Sequence, residues 1–337
     1  MTESGKVRWG VLSTAKIGRE KVIPAMQRGE RSHVAAIASR DAATARKVAD
    51  ALGIGTAYGS YEELLADPEI EAIYNPLPNH LHVPWSVRAL EAGKHVLCEK
   101  PVALTADEAG QLVDASKRTG KLVFEAFMVR HHPQWREARE IVRSGRIGEA
   151  RAVQTVFAYY LDDPGNVRNQ ADIGGGGLYD IGCYAIATAR FLFGAEPERV
   201  VGTIDRDPRF GTDRMTTGIA EFPGNRHLGF VCATQLVPVQ RVEVLGTKGR
   251  LTVEIPFNAP NDRPTRIVVD DGRDLHGTGA EAIEFPVADQ YTLQGDAISA
   301  VIQGEASLEW GIEDAVLNMR VIDAFFRSSE RNGWEQP

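Results

Sequence analysis

Over the first 120 residues, short apolar runs alternate with stretches whose apolar positions recur at helical spacing. Runs of the first kind are 7–13, 33–39, 72–77 and 95–99, with a further strand predicted over 121–128. Stretches of the second kind are 17–28, 42–52, 80–92 and 105–118. Strand-helix alternation of this kind predicts a doubly wound parallel sheet.

Near residue 150 the rhythm changes. Residues 150–160 form a long run rich in Val, Thr, Phe and Tyr, and 200–204, 216–222, 228–235, 240–245 and 250–254 follow as successive strands. Turns such as Phe222-Pro-Gly-Asn225 and Gly246-Thr-Lys-Gly249 join them. One long helix, 178–193, interrupts this series, and two more, 292–303 and 311–331, close the chain. The pattern predicts an α+β domain with a large, mainly antiparallel sheet. In 228–235, Leu228, Phe230 and Cys232 point one way and Val231 and Ala233 the other. Apolar side chains on both faces predict an open face that packs against another subunit, in a homodimer or homotetramer.

The length of 337 residues is too great for one ordinary core, so two domains are expected: 1–125, and 126–337 with the last helices able to pack back on the first. A chain that is 43% hydrophobic and 25% charged is globular. Its net charge is −8 and its basic residues are scattered, which argues against nucleic acid or an anionic membrane as partner. The start, MTESGKVRWG, lacks the apolar core of a signal peptide, and no apolar run spans a bilayer. Cys98, Cys183 and Cys232 lie far apart, odd in number and without CxxC spacing, so neither a disulfide framework nor a metal site is expected. The expectation is a cytoplasmic protein.

Candidate chemistry gathers where strands end. At 95–101 the apolar Val96-Leu97-Cys98 gives way to Glu99-Lys100-Pro101, at the sheet edge where open parallel sheets bind ligands. Partial burial there lowers a lysine's pKa and makes it a proton donor or acceptor, although a solvated strand-end lysine fits the spacing equally well. After the first strand, Ser13, Ala15 and Gly18 occupy the positions of a G-x-G-x-x-G fingerprint, with Thr14 and Ile17 between them. Small residues let the backbone approach a pyrophosphate at a helix N-terminus, and an ordinary strand-helix turn is the alternative.

The second strand ends in Ser39-Arg40, where an acidic residue would bind a ribose 2′-hydroxyl. A guanidinium and a hydroxyl suit a 2′-phosphate, which favours NADP over NAD, and Asp41 falls at the expected N-cap of the next helix. Pro76-Leu77-Pro78-Asn79 stiffens the turn after the next strand; Asn79 is expected to cap the helix that carries His82. Further on, Gly174–Gly177 leads into Leu-Tyr-Asp180-Ile-Gly-Cys-Tyr184. The glycines admit a ligand or the other domain closely, and Asp180 and Tyr184 share a helix face. A tyrosine phenol with a lysine ammonium can move a proton on a sugar hydroxyl while hydride leaves carbon. An Asp-Tyr pair at this spacing also occurs on plain surfaces.

Together these segments resemble the Gfo/Idh/MocA oxidoreductases, the glucose-fructose oxidoreductase and inositol dehydrogenase group, over essentially the whole chain. The most specific element is Ala92-Gly-Lys-His-Val-Leu-Cys-Glu-Lys-Pro101. Pro78-Asn79-x-x-His82, Glu125-Ala-Phe-Met-Val-Arg130, His132-Pro133-Gln134 and Gly175 to Tyr184 support it. The resemblance implies a Rossmann domain followed by a domain with an open-faced sheet, and hydride transfer to a nicotinamide. It implies that Lys100, Tyr184 and Asp180 form the catalytic centre, with Tyr184 as acid/base, Lys100 its electrostatic partner and Asp180 an orienter. Ser13, Thr14, Ala15, Ile17, Ser39, Arg40, Pro76, Leu77, Asn79, His82, Glu99 and Lys100 are the implied cofactor contacts. Arg168, Asn169 and Tyr291 are implied to face the substrate cleft, with loop solvation or ordinary packing as the alternative.

Many relatives carry His where this chain has Tyr184; a Tyr there is similar to glucose-fructose oxidoreductase, dimeric dihydrodiol dehydrogenase and NADP-dependent sugar dehydrogenases. Six residues before the first strand leave no room for the N-terminal arm with which glucose-fructose oxidoreductase retains its cofactor, so an exchanged cofactor is expected. The implied reaction is oxidation of an aldose C1 to a lactone, with keto-sugar reduction or trans-dihydrodiol oxidation as alternatives. A nucleotide-sensing regulatory module is the alternative from another class, and the joint presence of Lys100, Asp180 and Tyr184 argues against it.

Overall fold

The computed structural model describes residues 5–337; residues 1–4, on which part of the reading of the N-terminus falls, lie outside the described residues. The chain groups into two compact units. The first comprises residues up to Met128 together with Asp289–Val316, the second Val129–Ala288 with Leu317–Pro337. The sequence reading divides the chain at 125 with the last helices able to pack back on the first domain; the compact units divide at Met128, and Asp289–Val316 groups with the first.

In the first unit β1 (Val7–Leu12), β2 (Ser32–Ala38), β3 (Thr56–Tyr58), β4 (Ala72–Asn75), β5 (His95–Cys98) and β6 (Val123–Glu125) form one sheet. Its order is β3-β2-β1-β4-β5-β6 and every pair is parallel. The order reverses between β1 and β4, the switch point at which such sheets bind ligands beyond the strands' carboxyl ends. Trp9, Val11, Ile37, Tyr74 and Leu97 are fully buried in its core.

The helices are α1 (Ile23–Arg28, entered through a π-helical turn over Gly18–Val22), α2 (Ala42–Leu52), α3 (Tyr61–Ala66), α4 (His82–Glu91) and α5 (Ala106–Thr119). Asp41 caps α2 as expected, accepting the Thr44 N–H at 2.7 Å, and Gly53 ends it at φ 67°. Neither β3 nor α3 was predicted. Three and six residues long, they are too short for a period to register between Gly55 and Gly59 and beyond.

The second unit is built on β7 (Ala150–Tyr160), β8 (Arg199–Arg206), β9 (Asp213–Phe222), β10 (Arg226–Ala233), β11 (Gln235–Gly246), β12 (Arg250–Val253), β13 (Thr265–Asp270) and β14 (Ala280–Phe285). The order is β14-β13-β12-β11-β7-β10-β9-β8, antiparallel at every pair except the parallel β7–β10. One face carries the buried Val153, Ala220, Leu228, Phe230, Cys232, Val242 and Val244. By strand alternation Ile219, Val239 and Leu245 lie on the other face, where they are exposed.

Helix α6 (Pro133–Arg143) and helix α7 (Cys183–Phe193) belong to this unit. All eleven residues of α7 are buried, as its nearly continuous apolar sequence requires. Helix α6, β13 and β14 were not predicted. The helix buries only Gln134, Trp135, Ala138 and Ile141 among charged residues, and β14 is a largely exposed edge.

Two helices close the chain, α8 (Gln290–Ile302) and α9 (Ile312–Arg331). Helix α8 is fastened to the first unit: Trp9 Nε1 donates to Ser299 Oγ at 3.1 Å, and Asp296 accepts the Glu30 and Arg31 N–H groups. Among the described residues no helix is long and apolar enough to cross a membrane.

Candidate active site

At the carboxyl end of β1 the chain turns sharply. Ser13 has φ 71°, the left-handed region that favours glycine, and its Oγ accepts the Ala15 N–H at 3.2 Å. The fingerprint position thus keeps the backbone a glycine would take, with the hydroxyl satisfying the turn. Thr14 is held through its carbonyl, which accepts from Arg19 Nε at 2.9 Å. Ser13, Thr14, Ala15 and Ile17 are half-buried around the turn. At the end of β2, Ser39 is half-buried and Arg40 exposed. Asp41 is committed to its helix cap, so Arg40 is the charged group that the strand end offers.

The turn after β4 is shaped by a residue that the sequence did not single out. Asn75 is fully buried; its Nδ2 donates to the His82 carbonyl and to Ser86 Oγ, and its Oδ1 accepts the Leu77 N–H. Asn79 is not the expected helix cap: it begins a short 3-10 turn, Asn79–Leu81, with Pro78 at the cap position, and Leu81 precedes α4.

His82, expected at the cofactor, is buried. Its ring nitrogens are 2.8 Å from the Pro101 carbonyl oxygen and 2.7 Å from that of Leu77. Burial, partly offset by these carbonyls, lowers its pKa to about 4. The ring ties the turn after β4 to the one after β5.

That second turn carries Lys100. The Glu99 N–H donates to the Asn75 carbonyl at 3.0 Å, and the Ala126 N–H to the Cys98 carbonyl at 2.8 Å. The Val102 N–H donates to Glu125 Oε1 at 2.9 Å, and the Lys100–Pro101 peptide is cis. These hydrogen bonds, with His82 beside the Pro101 carbonyl, hold the turn that carries the half-buried Lys100. Glu99 Oε1 accepts from the Tyr74 hydroxyl at 2.7 Å. Tyr291, expected in the substrate cleft, belongs to this unit; burial and then the Glu99 charge raise its phenol well above the ordinary range.

In the second unit the glycine run has a different purpose from the one expected. A Cβ on Gly175 would lie 2.6 Å from the Arg168 carbonyl oxygen and 2.7 Å from that of Gln170; one on Gly176, at φ 125°, would lie 1.8 Å from Asp213 Oδ1. The space a side chain would fill is taken by the unit's own chain. Asp213, which the sequence reading missed, is buried. Its Oδ2 accepts the Leu178 N–H at 2.5 Å and the Thr216 hydroxyl at 3.3 Å, and burial pushes its carboxyl up to about 6. No local pattern marks it, since an Asp opening a strand after a turn is common.

Leu178–Gly182 is a π-helical turn that runs into α7, and such turns recur at functional sites. It carries Asp180, and α7 carries Tyr184. Asp180 Oδ2 accepts from the Tyr159 hydroxyl at 2.5 Å and pairs with Arg168 Nε at 2.9 Å, its side chain 13% exposed. Burial, then the Asp180 charge, drives the Tyr159 phenol far above its ordinary value. Asp180 foremost raises that of the Arg168 guanidinium. Tyr184 is buried against Phe157, with ring centroids 6.0 Å apart, and Phe257 at 5.3 Å. Asn169, also expected in the cleft, turns inward, donating from Nδ2 to the Asp163 carbonyl at 2.8 Å. Within this unit the structure thus brings together Asp180, Arg168 and the unpredicted Tyr159.

Among the described residues no group of three or more His, Cys, Asp or Glu is placed to hold a metal. His132 caps α6, its Nδ1 accepting the Gln134 N–H, and all three cysteines are buried thiols.

Comparison with known proteins agrees with this architecture. The profile of the GFO/IDH/MocA oxidoreductase family, NAD-binding Rossmann fold, matches residues 7–127, and that of the GFO/IDH/MocA C-terminal domain matches 135–252. The chain is 38% identical over 324 residues to a D-xylose 1-dehydrogenase (NADP+) of Haloferax volcanii, covering 96% of this chain and 97% of that one. Among solved structures it is similar to KijD10, a 3-ketoreductase of Actinomadura kijaniata in complex with NADP and TDP-benzene. The TM-score is 0.89 at 29% identity, over 96% of this chain and 98% of that one. It is also similar to the aldose-aldose oxidoreductase of Caulobacter crescentus, with TM-score 0.90 and 26% identity over 98% and 100%. With a six-stranded parallel sheet spanned by the first profile and an eight-stranded, mainly antiparallel one that the second profile spans as far as β12, the chain belongs to the GFO/IDH/MocA family of oxidoreductases.

Proposed function

We propose that this oxidoreductase is an NADP-dependent sugar dehydrogenase that converts C1 of an aldopyranose to a lactone, with Lys100 and Tyr184 handling the proton. The observation that carries the reading is Tyr184, a buried phenol on a helix whose entry turn holds an Asp180 carboxylate paired to Arg168. The named relatives support it: one is an NADP-linked xylose dehydrogenase, and the ketoreductase was solved with NADP. That ketoreductase was also solved with a lysine replaced by alanine and with a tyrosine replaced by phenylalanine.

The residues present fit a dinucleotide. The positive-φ turn at Ser13 opens a helix whose N-terminal N–H groups suit a pyrophosphate, and Ser39 with Arg40 suits a 2′-phosphate. A bound nicotinamide would supply the hydride acceptor for oxidation and the hydride donor for reduction. Tyr184 accepts the proton of the reacting hydroxyl, Lys100 stabilises the phenolate by its charge, and Asp180 orients a neighbouring hydroxyl. The likeness to the 3-ketoreductase favours one second reading, reduction of a keto-sugar by the same groups run in reverse.

Arg40→Ala tests the cofactor assignment. It is expected to raise the KM for NADP about tenfold or more, the scale of one lost charge-assisted contact, with that for NAD little changed. Steady-state kinetics with both cofactors decide; equal effects would remove the 2′-phosphate role.

The exposed Ile219, Val239 and Leu245 support a second copy of the chain packing on the open sheet face, as a homodimer or homotetramer. Light scattering at micromolar concentration is expected to give a multiple of the 36.8 kDa chain mass, reduced by Val239→Glu. A monomer in the wild type would contradict it.

A further inference from the structure

Strand β7 meets the entry of α7 in matched spacing. Phe157 and Tyr159 lie two apart on β7 and so share a face, while Asp180 and Tyr184 lie about one turn apart on the π-helical turn and α7. Phe157 packs on the Tyr184 ring, and Tyr159 meets Asp180. The Tyr159 hydroxyl donates to Asp180 Oδ2 at 2.5 Å, and Arg168 Nε reaches the same oxygen at 2.9 Å. The loop that brings Arg168 is itself held: its N–H donates to Asn166 Oδ1 at 3.1 Å, and its carbonyl accepts the Gly176 N–H at 2.9 Å. Donors from two separate segments thus converge on one carboxylate oxygen, and the Asp180 side chain still keeps 13% of its surface exposed.

Burial, then the Asp180 charge, keeps the Tyr159 phenol protonated, so in this pair the tyrosine donates and the aspartate accepts. An ionised carboxylate has acceptor capacity only. A substrate group that meets it must bring a hydrogen, which a sugar hydroxyl does and a carboxylate or phosphate does not. In an aldopyranose one neighbour of C1 is the ring oxygen, and the other carries the C2 hydroxyl. We propose that Tyr159 is a positioning residue that acts through Asp180: its hydroxyl, with Arg168, fixes the carboxylate as the acceptor that selects substrates bearing a hydroxyl on the carbon next to the reacting one. The inference rests on the proposed reading of Asp180 as the group that orients a neighbouring hydroxyl. It moves Arg168 from substrate contact to support of Asp180, and it narrows the substrate class to sugars that keep the C2 hydroxyl.

Tyr159→Phe keeps the ring and removes the donor. The test compares D-glucose with 2-deoxy-D-glucose by steady-state kinetics. In parallel, and without turnover, titration calorimetry in the presence of NADPH compares 1,5-anhydro-D-glucitol with its 2-deoxy analogue. Wild type is expected to favour the 2-hydroxy member of each pair about tenfold or more, the scale of one charge-assisted hydrogen bond. In Tyr159→Phe that preference falls about threefold or more, through KM rather than kcat. Asp180→Asn removes most of it, and adding Tyr159→Phe to Asp180→Asn changes it little further. A merely structural role would weaken both members of each pair alike and leave their ratio in place. Thermal melting shows whether each variant is folded; if Tyr159→Phe is not, Arg168→Lys, which loosens the other donor on the same oxygen, carries the decision by lowering the preference in the same direction. No preference in the wild type, or a ratio that the folded variants leave unchanged, overturns the inference. A calorimetric preference that responds to Tyr159→Phe without turnover of either sugar supports the inference and counts against the dehydrogenase reading; turnover of D-glucose with an unchanged ratio does the reverse.

Discussion

Alanine at position 100 is expected to lower turnover at least about 100-fold, the usual scale of an acid-base contribution, or about 2.7 kcal/mol of barrier. The loss should fall on kcat, with the melting temperature little changed. The turn that carries Lys100 is held by backbone groups: the Glu99 N–H on Asn75, Ala126 on Cys98, Val102 on Glu125, and His82 beside the Pro101 carbonyl. These bonds are made by other groups and remain when the lysine side chain is removed. Steady-state kinetics beside a thermal melt separate the two. Near-normal kcat in a folded variant would take Lys100 out of the mechanism.

Phenylalanine at position 184 is expected to lower kcat by about 10²- to 10⁴-fold and to abolish the rise of kcat with pH in the direction of alcohol oxidation. The sign follows from the role. A base accepts the substrate proton only as phenolate, so wild-type oxidation climbs with pH until the phenol is ionised, whereas a ring without a hydroxyl has nothing to ionise. The contacts with Phe157 and Phe257 are made by the ring and survive the change, and the α7 core stays filled. Binding of NADP, which we assign to the first unit, should be almost unaffected. A pH-rate profile of the variant that keeps the wild-type climb would assign the proton to another group.

The strand-helix rhythm of the first unit was legible because its strands are apolar runs flanked by turn residues and its longer helices are amphipathic and capped, as Asp41 and Gly53 show for α2. What escaped was short or polar: β3, α3, the charged α6 and the exposed edge β14. The sequence reading left the last helices able to pack back on the first domain; the grouping of Asp289–Val316 with the first unit depends on long-range bonds such as Trp9 to Ser299, which leave no local pattern.

The site divides the same way. Lys100, Asp180, Tyr184 and Arg40 stand in local motifs, which is why the sequence and its family resemblance nominated them. Residues that act through distant partners, Asn75, Tyr159 and Asp213, carry no local mark. His82 and Asn169 stand in or beside motifs, yet their side chains turn inward to backbone carbonyls. Motif membership marks a turn as important; only packing shows whether a side chain faces the ligand or holds the frame.

The measurement that bears most directly on the central claim is a panel of aldoses, polyols and diols assayed with NADP and with NAD, in both directions, at the nicotinamide absorbance. The account predicts that at least one aldopyranose is oxidised with NADP, and faster than with NAD. Absence of turnover with every sugar, polyol and diol, with either cofactor and in either direction, would contradict it.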